Sequence, residues 1–187
     1  IPASWTTNLV GAGIVARCTL ASHTISLAAY ADLYEALLGE TAGGTDGLLM
    51  LLEADGFMAT GHIASVSVRG KVRNTRDADG NPIWPHVNEI DGQPVIYPTN
   101  GAVDAAQSLL ISGDWSQLVY AVRQDITYKI LDQAVIQDAS GAIVYNLAQN
   151  DMVALRAVMR LGFALPNPIN QINGTTLTRC AFATLTA

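Results

Sequence analysis

The 187-residue chain has only two cysteines, Cys18 and Cys180, far apart and in no CxxC or Cys/His pattern. That excludes a disulfide framework and a cysteine-based zinc site; two such thiols in an intracellular chain are expected to be reduced and structural. Charge is scarce too. Only 14% of residues are charged, ten basic against sixteen acidic, for a net charge of −6. A protein that grips DNA by its phosphates normally shows a basic excess on its binding face. No run of about eighteen apolar residues occurs, so no transmembrane helix is expected. The opening Ile1-Pro2-Ala3-Ser4-Trp5 has no basic n-region, so no signal peptide is expected, and its missing Met suggests a chain that begins inside a longer gene product.

Familiar chemistry is missing as well. His23, His62 and His86 lie in separate segments with no HxxxH or HxH spacing, so no converging metal set is expected. Asp77-Ala78-Asp79-Gly80 opens like a calcium loop, but the position of the closing Glu holds Asn88, and the segment reads as a turn. Gly11-Ala12-Gly13 is too short for a dinucleotide fingerprint. No GxxxxGK[ST] or GxSxG occurs, and Ser112-Gly113-Asp114 has no histidine in a recognised order with it. The expectation is a protein with no catalytic site, no cofactor and no metal.

What is present is a globular core. Half the residues are hydrophobic, which rules out disorder as a global reading. This length buries roughly two-thirds of the unfolded surface without a staple and fits one domain or two small interleaved ones. The spacing of Leu27, Tyr30, Ala31, Tyr34, Leu37 and Leu38 predicts a helix from Thr24 or Ser26 to about Leu38, stopped at Gly39. A short helix carrying Leu48, Leu49, Leu51 and Leu52 follows Thr45-Asp46. A buried strand is expected over 56–60, a helix over 62–74 and turns over 75–91. Further strands are expected over 94–97 and 109–111. Leu118–Val122 and Ile126–Ile136 read as two antiparallel strands joined by Arg123-Gln124-Asp125. Residues 1–20 read as an irregular lead-in and 175–185 as a last strand. The pattern is α+β with mainly antiparallel pairing.

The clearest period comes late. Val153, Leu155, Ala157, Met159, Leu161, Phe163 and Leu165 are apolar at strict spacing two, which predicts one long strand ended by Pro166. Its apolar face is expected to be buried, with Arg156 and Arg160 on the less buried face. Leu161→Asp is then expected to unfold the chain. Two features carry open alternatives. The basic residues Arg69, Lys71, Arg73 and Arg76 form either a solvated helix face or a subunit-contact patch. Trp115 is either a core anchor or an interface anchor.

Five short patterns recur in one order: Gly56-Phe57-Met58 with Asp77-Ala78-Asp79-Gly80, Gly92-Gln93-Pro94-Val95, Ser112-Gly113-Asp114-Trp115-Ser116, Asn150-Asp151-Met152-Val153-Ala154-Leu155-Arg156, and Arg160-Leu161-Gly162-Phe163-Ala164. Together they resemble the C-terminal half of tailed-phage major capsid proteins of the Hong Kong 97 type, over about residues 20–170. The resemblance implies that Gly92, Pro94, Gly113, Asp114, Trp115, Arg156, Arg160 and Phe163 are family-motif residues. It implies a Hong Kong 97-like fold: a lead-in over 1–19, a peripheral domain with a spine helix from 20–91 and 148–187, and an axial domain from 92–147. It also implies a non-enzymatic coat subunit that forms pentamers and hexamers in a virion capsid, assembled in the bacterial host cytoplasm. The implied partners are scaffolding, protease and portal proteins, and packaged DNA held without specific binding, with no membrane. The N-terminal arm and extended loop of that family do not fit in the residues before the expected spine helix. The chain alone is therefore expected to be folded but monomeric or loosely associated. A nanocompartment shell protein and a small-ligand-binding α+β domain are the rival readings.

Overall fold

The computed structural model describes residues 13–39, 46–166, 170–174 and 178–187. By their internal contacts these form two units, a larger one of 1–119 with 164–187 and a smaller one of 120–163. The larger unit contains α1 (Ile14–Leu20), β1 (Thr24–Ser26), a 3-10 turn (Leu27–Ala29), α2 (Leu33–Leu38), α3 (Leu48–Ala54), β2 (Gly61–Ala64), α4 (Val66–Asn74), β3 (Glu89–Ile90), β4 (Gln93–Ile96), β5 (Leu110–Gly113) and, at the far end of the chain, β10 (Phe182–Thr186). Its six strands form one sheet in the order β1-β10-β5-β2-β4-β3. The β1–β10 and β2–β4 pairs are parallel and the rest antiparallel.

Alternation along the strands splits the core in two, because neighbouring side chains leave a strand on opposite faces. Leu110, Ala183 and Leu185 pack with Leu33, Ala36 and Leu37 of α2, Leu48, Leu49 and Leu52 of α3, and Val68 and Val72 of α4. Ile111 and Phe182 face the other way, against Ile14 and Cys18 of α1, with Phe57 and Cys180. Each fully buried Leu here contributes about 1.5–3 kcal/mol. The two cysteines are free thiols, both buried in this second core.

Several expected elements are replaced. The single helix over 24–38 is not formed. Ile25 lies opposite Leu185 in a parallel strand pair, and the helix starts afresh at Leu33, where the Asp32 carboxylate accepts a hydrogen bond from the Glu35 N–H. A β-branched residue that can join a sheet and a good N-cap residue in mid-stripe together outweigh the apolar spacing. Residues 14–20, expected as lead-in, form α1, which buries Ile14 and Cys18 at i and i+4; the expected lead-in over 1–12 lies outside the described residues. The strand expected over 56–60 begins at Gly61, since Gly56 at φ +79° and the Phe57 N–H to Leu52 carbonyl bond first close α3. His62 belongs to that strand, and α4 begins only after Ser65. The last strand covers 182–186, and residues 175–177 lie outside the described residues.

The smaller unit is built from β6 (Val119–Leu131), β7 (Val135–Gln137), β8 (Ile143–Asn146) and β9 (Ala154–Ala164). β6 pairs with β9, and β7 pairs antiparallel with β8. The hairpin expected at Arg123-Gln124-Asp125 is absent: β6 runs straight through as thirteen residues. No glycine stands there to supply the positive φ of a tight hairpin turn. Asp138-Ala139-Ser140-Gly141 does turn, with the Asp138 carboxylate accepting from the Ser140 and Ala142 N–H groups and Gly141 at φ +86°.

The long strand expected over 153–165 is present as β9, but its faces are not as expected. Leu155 is 68% exposed and Leu161 43%. Strict alternation reports that a strand has two unlike faces and not that either is covered. The basis for expecting Leu161→Asp to unfold the chain is removed. Its effect on the thermal midpoint of the 187-residue chain should be that of an ordinary surface change, within about 0.5 kcal/mol. A cooperative loss of structure in that variant would restore the buried-face reading.

Candidate assembly surfaces

Five of the motif residues are built into the larger sheet. Asp91 and Gly92, at φ +50° and +72°, form the two-residue turn between β3 and β4. Both central residues of a type I′ hairpin need positive φ, which Asp-Gly supplies. Pro94 follows in β4, opposite Glu89 of the edge strand. Gly113 ends β5, flanked by Gly61 of β2 and Phe182 of β10. The Asp114 carboxylate then accepts from the Ser116 N–H at 3.0 Å and hydroxyl at 2.7 Å, which caps the short turn Trp115–Gln117. Trp115 donates its indole N–H to the Gly61 carbonyl at 2.9 Å and meets the Phe182 ring edge-on at 5.1 Å. Trp115, half-buried, thus uses both its polar end and its ring inside the fold.

Two polar pairs that the sequence did not reveal lie beneath this surface. His62 faces the Ser112 hydroxyl at 2.8 Å and the Ile90 carbonyl at 3.3 Å. With its proton on Nε2 the neutral ring donates to Ile90 and accepts from Ser112, so both nitrogens are satisfied. His23 faces the Asp55 carboxylate at 3.1 Å. All four side chains are buried. Among the described residues, no group of three or more His, Cys, Asp or Glu is placed to hold a metal ion. Nor is any helix long and apolar enough to cross a membrane.

Burial pushes the His62 ring below its ordinary value, against weaker opposing pulls from the Ile90 carbonyl and Asp91. The unfolded chain thus binds the proton more readily. Stability from this site is complete above about pH 6.5 and falls as pH drops from there toward the folded value. A midpoint series across that window should show the parent falling more steeply than His62→Gln. Equal slopes would rule this site out as a source of acid lability.

Three exposed surfaces remain. Thr127 and Lys129 of β6 and Arg156, Val158 and Arg160 of β9 line one shallow cavity of about 200 Å³, so these residues share a face of the β6–β9 ribbon. By alternation the opposite face carries Ile126, Tyr128 and Ile130 with Leu155, Met159 and Leu161, all of them exposed. Phe163 lies half-buried toward the end of β9. In the larger unit, α4 buries Val68 and Val72 and exposes Arg69, Lys71 and Arg73, with Arg76 just beyond its end. Beside it runs an open groove of about 750 Å³, floored by Leu27, Tyr30, Leu33 and Leu109.

The model of the phage capsid family matches residues 13–171. The chain belongs to that family. Over 116 residues it is 33% identical to the major capsid protein of Staphylococcus phage 80alpha, a match covering 59% of this chain and 35% of that protein. Solved structures from Microbacterium phage Oxtober96 and Mycobacterium phage Cain superpose with TM-scores of 0.72 and 0.70 at 28% and 26% identity, each covering 99% of this chain and 56% of theirs. The chain thus spans about half the length of these solved relatives and a smaller share of the curated one. The α+β, Hong Kong 97-like fold expected from the ordered motifs is borne out, and Gly92, Asp114 and Trp115 occupy turn, cap and packing positions.

Proposed function

We propose that this chain is part of the major coat subunit of a tailed bacteriophage or prophage, whose copies associate as pentamers and hexamers in an icosahedral shell around double-stranded DNA. The exposed apolar face of the β6–β9 ribbon carries this reading. Two strands without a covering layer are marginal in water, and a contiguous apolar face on a folded chain marks a surface that a partner covers. Family membership supports the same conclusion and favours a phage coat over a nanocompartment shell or a ligand-binding domain. The subunit acts through surfaces and not through bond-making chemistry. It meets scaffolding, protease and portal proteins during assembly in the host cytoplasm, and it holds packaged DNA without specific binding. Peripheral and axial domains belong to this proposal. The compact unit of residues 120–163 supports a second domain within the chain and favours boundaries near Val119 and Phe163 over those at 92 and 147. The reading is tested by electron microscopy of the complete coding product that contains this chain, expressed alone and with its neighbouring phage genes: closed shells support it, and soluble particles no larger than small oligomers in both cases contradict it.

A further inference from the structure

Gly70 sits in the middle of α4, where glycine costs about 0.5–1 kcal/mol relative to alanine. The fold does not require it. A Cβ placed there meets nothing within 4 Å, and its φ is not positive. Ser67, Gly70, Lys71 and Asn74, spaced as one helical stripe, line an open cleft of about 500 Å³ walled by Arg73 and Arg76. Lys71, Asn74 and Arg76 also line the 750 Å³ groove, so cleft and groove form one continuous surface with an apolar floor and a basic rim. α4 itself contains no carboxylate. The groove's Asp32 is already engaged as the cap of α2, and Asp77, just after the helix, is engaged with the backbone of residues 79 and 81. The helix dipole accounts for cations in the last turn, but it gives no reason for a bare backbone at Gly70.

We propose that this face of α4, with the adjoining groove, docks an acidic and partly apolar surface of a second copy of this chain, whose backbone approaches closest at Gly70. This rests on the coat-subunit reading for the presence of many copies. Charge complementarity selects the occupant: the chain carries sixteen acidic side chains against ten basic, three of which, Lys71, Arg73 and Arg76, line this surface. A second copy therefore brings mainly acidic surface to a basic rim. Nucleic acid fits less well, because a net charge of −6 repels it and phosphodiester has no use for the floor of Leu27, Tyr30, Leu33 and Leu109. Contacts between unlike patches of identical subunits close into rings when the rotation permits.

Sedimentation velocity of the 187-residue chain over a concentration series, at low and high salt, tests this with two variants of opposite stability. The parent should associate reversibly, and less at high salt. Lys71→Glu with Arg73→Glu should weaken association at least about tenfold and lower the thermal midpoint slightly, because both cations leave the last turn of α4. Gly70→Ala should raise the midpoint by a few degrees and still weaken association, which a merely structural role would not produce. The inference is overturned by a parent that is monomeric throughout, or by either variant associating as the parent does. It is also overturned if a short DNA duplex binds the parent at physiological salt and the double variant loses that binding without changing self-association. None of these results touches the coat-subunit reading, which stands or falls separately on shell formation by the complete coding product.

Discussion

Gly113→Ala should be among the most damaging single-methyl changes possible in this chain. Its Cβ would land on the Phe182 ring at Cδ1, 2.9 Å from Cγ, and 2.6 Å from the Ala181 carbonyl oxygen. Neither neighbour can yield cheaply. Ala181 O already accepts the Asp114 N–H, and Phe182 is buried between its own strand and the edge-on Trp115 ring. Overpacking of this kind costs about 1–3 kcal/mol and occasionally more, a large share of the roughly 5–15 kcal/mol by which a domain is stable. Gly92→Ala is the control. It strains a positive φ but meets nothing within 4 Å, so its cost should stay near about 1 kcal/mol. Urea midpoints of the two variants decide. A Gly113→Ala effect no larger than that of Gly92→Ala would mean that β5 and β10 are not packed as described.

Asp55→Ala should be comparably severe for an electrostatic reason. One carboxylate oxygen accepts from the Cys180 N–H at 2.7 Å and faces His23 at 3.1 Å, and the other accepts the Asn173 side-chain amide at 2.6 Å. The Asp55 backbone carbonyl takes the Asn170 amide at 2.7 Å as well. The side chain thus ties the end of α3 to the segment leading into β10. Its removal deprives the buried Cys180 N–H and His23 of their partner and takes one acceptor from Asn173, whose amide still reaches Thr178, at a cost of about 3–5 kcal/mol for a broken buried network of this type. Asp55→Asn keeps one acceptor oxygen and should cost clearly less. Burial pushes the His23 ring down while Asp55 pulls it up, so both variants should also lower the pH at which His23 takes a proton, readable from its imidazole resonances. Equal stabilities for the parent and Asp55→Ala would show that the network is not formed in solution.

The sequence carried local information well and non-local information poorly. The Asp91-Gly92 turn, the leucine helix after Asp46 and the existence of β9 follow from short-range chemistry, and each is where the residues put it. The helix expected over 24–38 failed because Ile25 finds a partner 160 residues away in Leu185, which no window of local spacing can see. His62 and Ser112 meet for the same reason: the register of β2 on β5 sets them side by side, fifty positions apart. The face of β9 was unreadable for a different reason. Its alternation would look the same whether the apolar side packs in a core or waits for another surface, and only the absence of a covering layer in the smaller unit separates the two. Gly70 gave no signal in sequence beyond being a glycine in a helix, and acquires meaning only once the space around it is seen to be open.

The exposed apolar face of the β6–β9 ribbon is proposed to be the assembly surface. It is tested most directly by introducing Leu155→Asp and Leu161→Asp together into the complete coding product and examining the particles by negative-stain electron microscopy beside circular dichroism of the same preparation. The expected result is a folded protein with a native-like spectrum that no longer forms the shells made by the parent. Shells of normal size and yield from the doubly charged variant would contradict it, because a face that tolerates two carboxylates in the closed particle is not covered there.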